Sequence, residues 1–340
     1  QMVNMFSSYN MTVSPMFGLM GFLACYTGLG KSLFEAINAF LGHHRGGLAM
    51  ATECACAGFG AICGSVPATI STFSAIAYPE MRARNYNPSL AGSSIAAGAT
   101  LAVLIPPSSN FIIYGAATDT SIGRLFVAGI IPGLMLLVLF ILAIAWTGWR
   151  HPDWSPTGKK YTAKERWAAV REGGIIEIII VFLISMGGMF IGLFTPTESA
   201  AIVCLYALLL GGIYYKTLTV NNFLKCTLEA MVSSAAIYLI IGVSKPFSWL
   251  VAMTHLADTI TMAVESITTS PYVYLLILNI ILLILGCLME ASCCILIFAP
   301  LLVPIALDLG CNPLHVAVIF VLNLMMGVAT PPFGLSLFIG

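Results

Sequence analysis

The sequence has 340 residues, of which 59% are hydrophobic and 8% are charged, and fourteen basic residues balance fourteen acidic ones. A soluble protein of this composition would expose apolar surface far beyond a few hundred Å² and would aggregate. Apolar runs repeatedly reach the roughly 20 residues that cross a bilayer core, so the sequence predicts an all-α polytopic membrane protein.

We expect four regions in the chain. They are residues 1–45 (N-terminal scaffold helices, an incomplete set), 46–120 (a first repeat, with a hairpin over 46–84 and a broken helix over 88–117), 121–270 (scaffold and connecting helices, with a loop over 149–173) and 271–340 (a second repeat, with a hairpin over 273–311 and a broken helix over 313–340). Because the chain begins at Gln1 without an initiator Met and ends at Gly340 inside an apolar run, we also expect it to be part of a longer protein.

The first hairpin is predicted from an apolar stretch that has arginines at both ends. This stretch lies between Arg45 and Arg82, and Gly64-Ser65-Val66-Pro67 interrupts it near its middle. When both arginines are placed in the cytoplasm, the stretch must enter the membrane, turn and return on the same side. A polar turn at that depth survives only where protein or a watery cavity surrounds it. The sequence therefore predicts a re-entrant hairpin.

The loop over residues 149–173 fixes the orientation of the helices. It holds six of the fourteen Lys and Arg residues, namely Arg150, Lys159, Lys160, Lys164, Arg166 and Arg171. The positive-inside rule places such a loop in the cytoplasm. The helix before it, Leu125 to Thr147, then crosses the membrane inward.

Two further segments lie between this loop and the second repeat. Thr195-Pro196-Thr197-Glu198 predicts a capped helix start, with proline at the first helical position and a reciprocal glutamate three residues after the N-cap. Ser244 to Ile267 holds Lys245, His255, Asp258 and Glu265. We interpret this segment as an interfacial or connecting helix.

The second repeat is recognised by prolines that recur at one constant offset. Pro79, Pro88, Pro106 and Pro107 each have a counterpart 225 residues later, at Pro304, Pro313, Pro331 and Pro332. The segments that flank the second hairpin, residues 265–272 and 306–312, contain no Lys or Arg, in contrast to the flanks of the first hairpin. This asymmetry predicts inverted repeats, and paired interrupted helices point to a transport site between them.

Each double proline is predicted to break a helix near the hairpin turn of its own repeat. The first turn, residues 64–69, faces a break over residues 105–110, and the second turn, residues 286–292, faces a break over residues 327–334. A Pro-Pro pair frees the carbonyl groups of the preceding half-helix and the N–H groups of the following one. Carbonyl and hydroxyl oxygens suit Na⁺, and a positive helix start suits a carboxylate. We assign substrate contacts to Ser109, Asn110, Ser292, Pro331 and Pro332.

Glu290 is an intramembrane carboxylate, which is costly to bury and is a functional hypothesis by default. Three roles stay open for it: binding a cation, relaying a proton, or capping the hairpin turn by accepting backbone hydrogen bonds. The sequence has no Walker motif, no dinucleotide-binding glycine pattern and no nucleophile elbow, so it does not predict an enzyme. The ten cysteines lack zinc-type spacing, and we predict neither a transition metal nor a nucleic-acid partner.

Several motifs in order carry a family resemblance over nearly the whole chain. They are Gly64-Ser65 with Ala68-Thr69, Pro79-Glu80-Met81, Ile105-Pro106-Pro107-Ser108, Phe194 to Ala201, and Thr330-Pro331-Pro332-Phe333-Gly334-Leu335. Together they resemble the large membrane subunit of tripartite ATP-independent periplasmic (TRAP) transporters. The resemblance implies a Na⁺-driven importer of organic acids in a bacterial inner membrane, with an elevator-type moving domain. It also implies two partners, a small four-helix membrane subunit and a soluble periplasmic binding protein.

The resemblance also implies where the coupling ion binds. Carried onto this sequence, the Na⁺ sites comprise Gly64, Ser65, Thr69, Pro106, Ser108, Gly286, Glu290, Gly327, Thr330 and Gly334. Na⁺ is the only cofactor expected. The organic acid stays open among a sialic acid, a C4-dicarboxylate, a sugar acid and a keto acid, and the small subunit is either separate or fused.

Two alternative functions remain at this point. One is a proton-coupled organic-acid transporter that uses Glu290, for which uptake would persist without Na⁺. The other is an ion channel lined by the two broken segments, which would conduct without a binding protein. An organic-acid permease driven by Na⁺ is the function that the sequence favours.

Overall fold

The computed structural model describes residues 13–253 and 270–330 of the chain. Over these residues the fold is all-helical, which confirms the predicted fold class. The predicted site residues Pro331, Pro332 and Gly334 lie outside the described residues. Residues 254–267 of the predicted connecting helix also lie outside them.

The helices that precede the basic loop begin close behind one another. They are α1 (Val13–Tyr26), α2 (Leu29–Leu41), α3 (Gly47–Cys63), α4 (Val66–Ala83), α5 (Pro88–Leu101), α6 (Ser109–Thr118) and α7 (Ile122–Arg150). Only Gly64 and Ser65 separate α3 from α4, whereas seven residues, 102–108, separate α5 from α6.

The first of the remaining helices begins inside the basic loop, and the others follow it. They are α8 (Ala163–Glu172), α9 (Ile175–Phe182, continued by a π-helical turn over Leu183–Gly187 and a last turn over Gly188–Phe190), α10 (Pro196–Leu209, continued by a π-helical turn over Leu210–Tyr214), α11 (Val220–Met253), α12 (Pro271–Leu288), α13 (Ala291–Asp308) and α14 (Pro313–Val328). Helix α11 runs on past Ser244, where the sequence analysis places the start of a separate helix.

The 225-residue offset extends from the prolines to the helix ends. Helices α4 and α13 have the same length, and both of their ends are related by this offset. Helices α5 and α14 both begin with proline after an asparagine N-cap. The side chains of Asn87 and Asn312 accept the N–H groups of Ser89 and Leu314, each at 2.9 Å. Such caps and a proline at the first position explain why both helices begin there.

Each pair of helices that precedes a break folds back on itself. The N–H of Leu48, at the start of α3, donates to the Tyr86 hydroxyl beyond the end of α4 at 3.3 Å. The Tyr274 hydroxyl, near the start of α12, donates to the Leu302 carbonyl in α13 at 2.7 Å. These contacts require α3 to run antiparallel to α4 and α12 antiparallel to α13.

The basic loop packs against the open end of the first hairpin. The Tyr86 hydroxyl donates to the Pro156 carbonyl at 3.0 Å, and the N–H of Gly158 donates to the Gly42 carbonyl at 2.8 Å. Both ends of the hairpin and the basic loop therefore lie at one end of the molecule. This is the arrangement that a hairpin entering and leaving on the cytoplasmic side requires, while the opposite orientation of the second repeat stays a prediction.

Four of the described helical segments are long and apolar enough to cross a bilayer: Ile122–Arg150, Pro196–Tyr214, Pro271–Leu288 and Ala291–Asp308. A fifth candidate is the pair Ala163–Arg171 and Ile175–Phe190, which is bent by 48°. The predicted span over Leu125 to Thr147 lies within α7. Many large apolar side chains of α7 are exposed, among them Ile131, Met135, Val138 and Leu142, as expected for a lipid-facing helix. The chain is thus a multi-pass membrane protein.

Candidate substrate and ion site

The break between α5 and α6 is a buried segment whose polar groups are partly satisfied locally. Residues 102–108 are all buried. The Ser108 hydroxyl is the N-cap of α6, accepting the Phe111 N–H at 3.3 Å, and it donates to the Val103 carbonyl. The break thus begins earlier than predicted, and Ser109 and Asn110 already belong to α6. Pro106 lies in the middle of this buried segment.

The turn of the first hairpin contacts this break directly. The Gly64 carbonyl accepts two hydrogen bonds from Ser109, from its N–H at 3.3 Å and from its hydroxyl at 2.7 Å. Gly64 has a φ of 61°, and a Cβ there would lie 2.6 Å from the Pro107 carbonyl oxygen. Only glycine fits this conformation at so close an approach. The predicted meeting of the first turn with the first break is therefore present in the structure.

Thr69 lies one turn into α4, directly behind the hairpin turn. It is fully buried, and its hydroxyl donates to the Ser65 carbonyl at 2.8 Å. The same carbonyl accepts the Thr69 N–H at 3.1 Å. Ser65 is the N-cap residue of α4, but its side chain forms no capping hydrogen bond. The first-turn N–H groups of α4 therefore have no side-chain acceptor at Ser65.

Glu290 is the N-cap of α13. Its carboxylate accepts the Cys293 N–H at 3.1 Å and the Ser292 hydroxyl at 2.9 Å. A carboxylate at a helix start interacts favourably with the helix dipole. The capping interaction is therefore present, while the roles of Glu290 in cation binding and proton relay stay predictions.

The two hairpin turns open into one cavity of about 810 Å³. Five of the predicted site residues line it: Ser65, Ser109, Asn110, Glu290 and Ser292. These residues belong to the first turns or N-caps of α4, α6 and α13, so three helix N-termini reach the cavity. Partial positive charge at helix starts favours an anion. The cavity is the place where both repeats could contact a carboxylate.

Another part of the cavity wall comes from α1 and α11. The Tyr26 hydroxyl donates to the Glu229 carboxylate at 2.8 Å, and both residues line the cavity together with Ser233. Glu229 is not among the site residues predicted from the sequence. Neither is Glu53, which is 1% exposed in α3 and has a carboxylate oxygen without a hydrogen-bond partner among the described residues. Both are acidic residues inside apolar spans, the pattern that predicts a functional role for Glu290.

Two predicted ion ligands form a close helix contact instead of lining the cavity. A Cβ on Gly327 would lie 2.5 Å from the backbone carbon of Gly286, so α12 and α14 approach backbone to backbone. Gly60 and Ala102 make the corresponding contact in the first repeat, because a Cβ on Gly60 would lie 2.4 Å from the Ala102 Cα. Small residues allow such approaches between membrane helices.

Thr330 lies apart from the central cavity. Its hydroxyl donates to the Met326 carbonyl at 2.6 Å, and it lines a separate cavity of about 190 Å³ with Thr100 and Leu136. The structure therefore brings together the hairpin turns and the first break. Gly334, which is predicted to bind the ion together with Thr330, lies outside the described residues.

Known proteins share the fold of this chain and are similar to it in sequence. The crystal structure of the Alcanivorax borkumensis YdaH transporter superposes with a TM-score of 0.63 over 99% of this chain and 79% of that one, at 15% identity, and shows the shared fold. The C4-dicarboxylate TRAP transporter large permease protein DctM of Pseudomonas aeruginosa is 34% identical over 333 residues, covering 97% of this chain and 77% of that protein.

The match to a second relative covers a smaller share of that protein. The isethionate TRAP transporter permease protein DctMQ of Oleidesulfovibrio alaskensis is 34% identical over 332 residues, and the match spans 52% of its length. The model of the DctM component of the tripartite ATP-independent periplasmic transporter matches residues 1–340. The chain belongs to the DctM family of TRAP transporter large permeases.

Proposed function

We propose that this chain is the permease subunit of a Na⁺-coupled secondary transporter that imports an organic acid across a bacterial inner membrane. A periplasmic binding protein delivers the acid, and a small four-helix membrane subunit supports the permease. The relative named DctMQ suggests that the small subunit is fused to the large one in some proteins of this family.

The observation that carries this proposal is the convergence of three helix N-termini on one cavity. The first turns of α4, α6 and α13 supply Ser65, Ser109 and Ser292 to its wall. The Ser65 hydroxyl and the first-turn N–H groups of α4, which have no side-chain acceptor at Ser65, suit a carboxylate. Relatives named for a dicarboxylate and for isethionate support an organic acid as the substrate class.

Coupling to Na⁺ rests on the oxygen atoms at the same turns. The carbonyls of Gly64 and Ser65 and the Ser65 hydroxyl are neutral oxygens of the kind that bind hard monovalent cations. A membrane potential of 100 mV, negative inside, is worth about 2.3 kcal/mol per charge. Two Na⁺ entering with one monovalent acid would carry one net charge inward, so the potential would favour uptake.

The elevator movement rests on the packing between the two repeats. Helix α6 packs against α13, and Asn110 donates to the sulfur of Met325 in α14 at 3.8 Å. The hairpins and broken helices of both repeats are thus joined around the cavity. We propose that they move as one body against the helices of the scaffold.

Uptake into proteoliposomes tests this function. The full-length permease is reconstituted with its small subunit and its binding protein, and uptake of radiolabelled organic acids is measured, among them succinate, isethionate and the zwitterion 4-aminobutyrate. An inward Na⁺ gradient should drive accumulation, whereas a proton gradient imposed in choline buffer should not. Accumulation that follows the proton gradient and ignores Na⁺ would contradict the coupling, and conductance in the absence of the binding protein would support a channel instead.

A further inference from the structure

Among the described residues, the Glu229 carboxylate forms no salt bridge, and Lys225, one turn earlier on α11, does not line the cavity. Glu229 lies in the third turn of α11, beyond the first turn in which the dipole of its own helix acts most strongly. Its described hydrogen-bond partner is the neutral hydroxyl of Tyr26, at 2.8 Å. It is exposed to the central cavity rather than packed into a core.

The rest of the cavity wall does not balance this charge. Among the described residues that line the cavity, none is a Lys, Arg or His. The other charged group on the wall is the Glu290 carboxylate, which already accepts the N–H and hydroxyl groups at the start of α13. Carboxylates at membrane depth are normally paired with a cation or serve a functional role. The missing counter-charge at Glu229 is therefore expected from whatever occupies the cavity.

The two walls of the cavity differ in electrostatic character. The start of α4 presents the Ser65 hydroxyl and first-turn N–H groups that have no side-chain acceptor at Ser65, which favours an anion. Glu229 and Tyr26 stand on the wall formed by α11 and α1, which favours a cation or a hydrogen-bond donor. A ligand that carries an anionic group at one end and a cationic group at the other would match both walls.

We propose that the transported acid is a zwitterion whose ammonium, amidinium or quaternary amine group binds at Glu229. Its carboxylate binds at the start of α4. This inference rests on the proposed function, since it names the class of organic acid that the permease carries. It also accounts for the acidic charge in a cavity that would repel a dicarboxylate.

Four compounds test the charge preference directly. Binding of 4-aminobutyrate and ectoine, which are zwitterions, is compared with binding of butyrate and succinate, which carry no cationic group. The full-length permease is purified in detergent with Na⁺ present, and dissociation constants are measured by thermal stabilisation. We expect a zwitterion to bind more tightly than either plain acid, and Glu229→Gln to weaken its binding by about 10- to 100-fold, the usual range for a charge-assisted hydrogen bond.

Glu35→Gln is the matched control, because Glu35 is an exposed glutamate of α2 that lies outside the cavity and pairs with Lys31. This variant should bind the zwitterion as the wild type does. Tight binding of succinate or butyrate that Glu229→Gln leaves unchanged would overturn the inference but leave the proposed function standing. A shift in the Na⁺ dependence of Glu229→Gln without a change in charge preference would assign Glu229 to the coupling ion and would also overturn it. Binding of none of the four compounds would count against the proposed function itself.

Discussion

Ser65 and Glu290 stand at the same position in the two halves of the chain and line the same cavity. Each is the N-cap residue of the second helix of a hairpin, and 225 residues separate them. Glu290 caps its helix with a charged side chain, whereas Ser65 forms no side-chain cap. The two turns are therefore related in position but differ in charge, and any ions held there experience different surroundings.

Substitution of Ser65 tests whether the first turn holds the coupling ion. Ser65→Ala removes a cavity-lining hydroxyl without disturbing a capping hydrogen bond, so folding should be unaffected. We expect the Na⁺ concentration for half-maximal uptake to rise by about 2- to 10-fold, the loss of one modest polar interaction. Proteoliposome uptake at varied Na⁺ measures this change.

Ser93→Ala is the control for this measurement, because Ser93 lies on the exposed side of α5 and outside the cavity. Thr330→Ala should raise the Na⁺ requirement in the same way if the second ion site extends to Thr330. An unchanged Na⁺ dependence in both Ser65→Ala and Thr330→Ala would remove these residues from the ion sites.

A methyl group at Gly327 should separate two helices of the second repeat. In Gly327→Ala the new Cβ would lie 2.5 Å from the backbone of Gly286, and backbone cannot yield as a side chain does. We expect a loss of about 1–3 kcal/mol in the free energy of unfolding, typical of overpacking. The measurement is reversible unfolding of the purified protein in mixed micelles.

Gly92→Ala provides the comparison within a helix of the first repeat. A Cβ at Gly92 meets no atom within 4 Å, so this change should stabilise α5 by about 0.5–1 kcal/mol through helix propensity. Equal effects of the two substitutions would show that the contact between Gly286 and Gly327 is not tight in solution.

A buried amide, Asn323, and a half-buried amide, Asn279, join α14 to α12. Asn323 donates to the Asn279 side-chain carbonyl at 2.6 Å and to the Ile319 carbonyl at 2.8 Å. Asn323→Leu should destabilise the protein, and a double-mutant cycle with Asn279→Leu should give a coupling free energy of about 0.6 kcal/mol, the mean for hydrogen bonds in membrane proteins. Strictly additive effects of the two substitutions would contradict a stabilising bond between the amides.

The sequence predicts the fold in more detail than it predicts the site. Proline positions set helix ends directly, because proline fixes φ and lacks an N–H, and Pro88 and Pro313 do begin α5 and α14. The capping motif at Thr195 and Glu198 is confirmed, with the Thr195 N–H donating to the Glu198 carboxylate at 2.7 Å. A second motif of this kind at Thr162 and Glu165 follows the same spacing and was overlooked.

The parts of the site that the sequence did not predict depend on distant contacts. Glu229 is recognisable in the sequence as an acidic residue in an apolar span, but it reaches the cavity because α11 packs beside α1 and α13, and the local sequence does not specify these neighbours. Gly286 is predicted in the second turn and Gly327 in the second break, both as ion-site residues, whereas the structure shows both glycines within helices that touch. A glycine is compatible with both environments, so its identity alone cannot distinguish them.

The start of α8 provides a pH-dependent element in the basic loop over residues 149–173. The Thr162 N–H, at 2.7 Å, is the main cause of a lowered pKa of the Glu165 carboxyl, followed by the Thr162 hydroxyl at 3.0 Å and Lys159 at 3.2 Å. A carboxyl whose pKa is lower in the folded state stabilises that state above its ordinary value, here about 4.5, and the contribution is lost as the pH falls through the folded value. We therefore expect the amides of α8 to lose protection from hydrogen exchange as the pH drops below about 4.5.

Glu165→Gln isolates this contribution, because it removes the titrating group while keeping a side chain of the same shape. Exchange of residues 163–172 is measured by mass spectrometry at several pH values and corrected for the intrinsic pH dependence of exchange. The variant should show weaker protection at neutral pH and no additional loss in acid, while Glu35→Gln should behave as the wild type. If wild type and Glu165→Gln lose protection in parallel as the pH falls, a group other than Glu165 controls the start of α8.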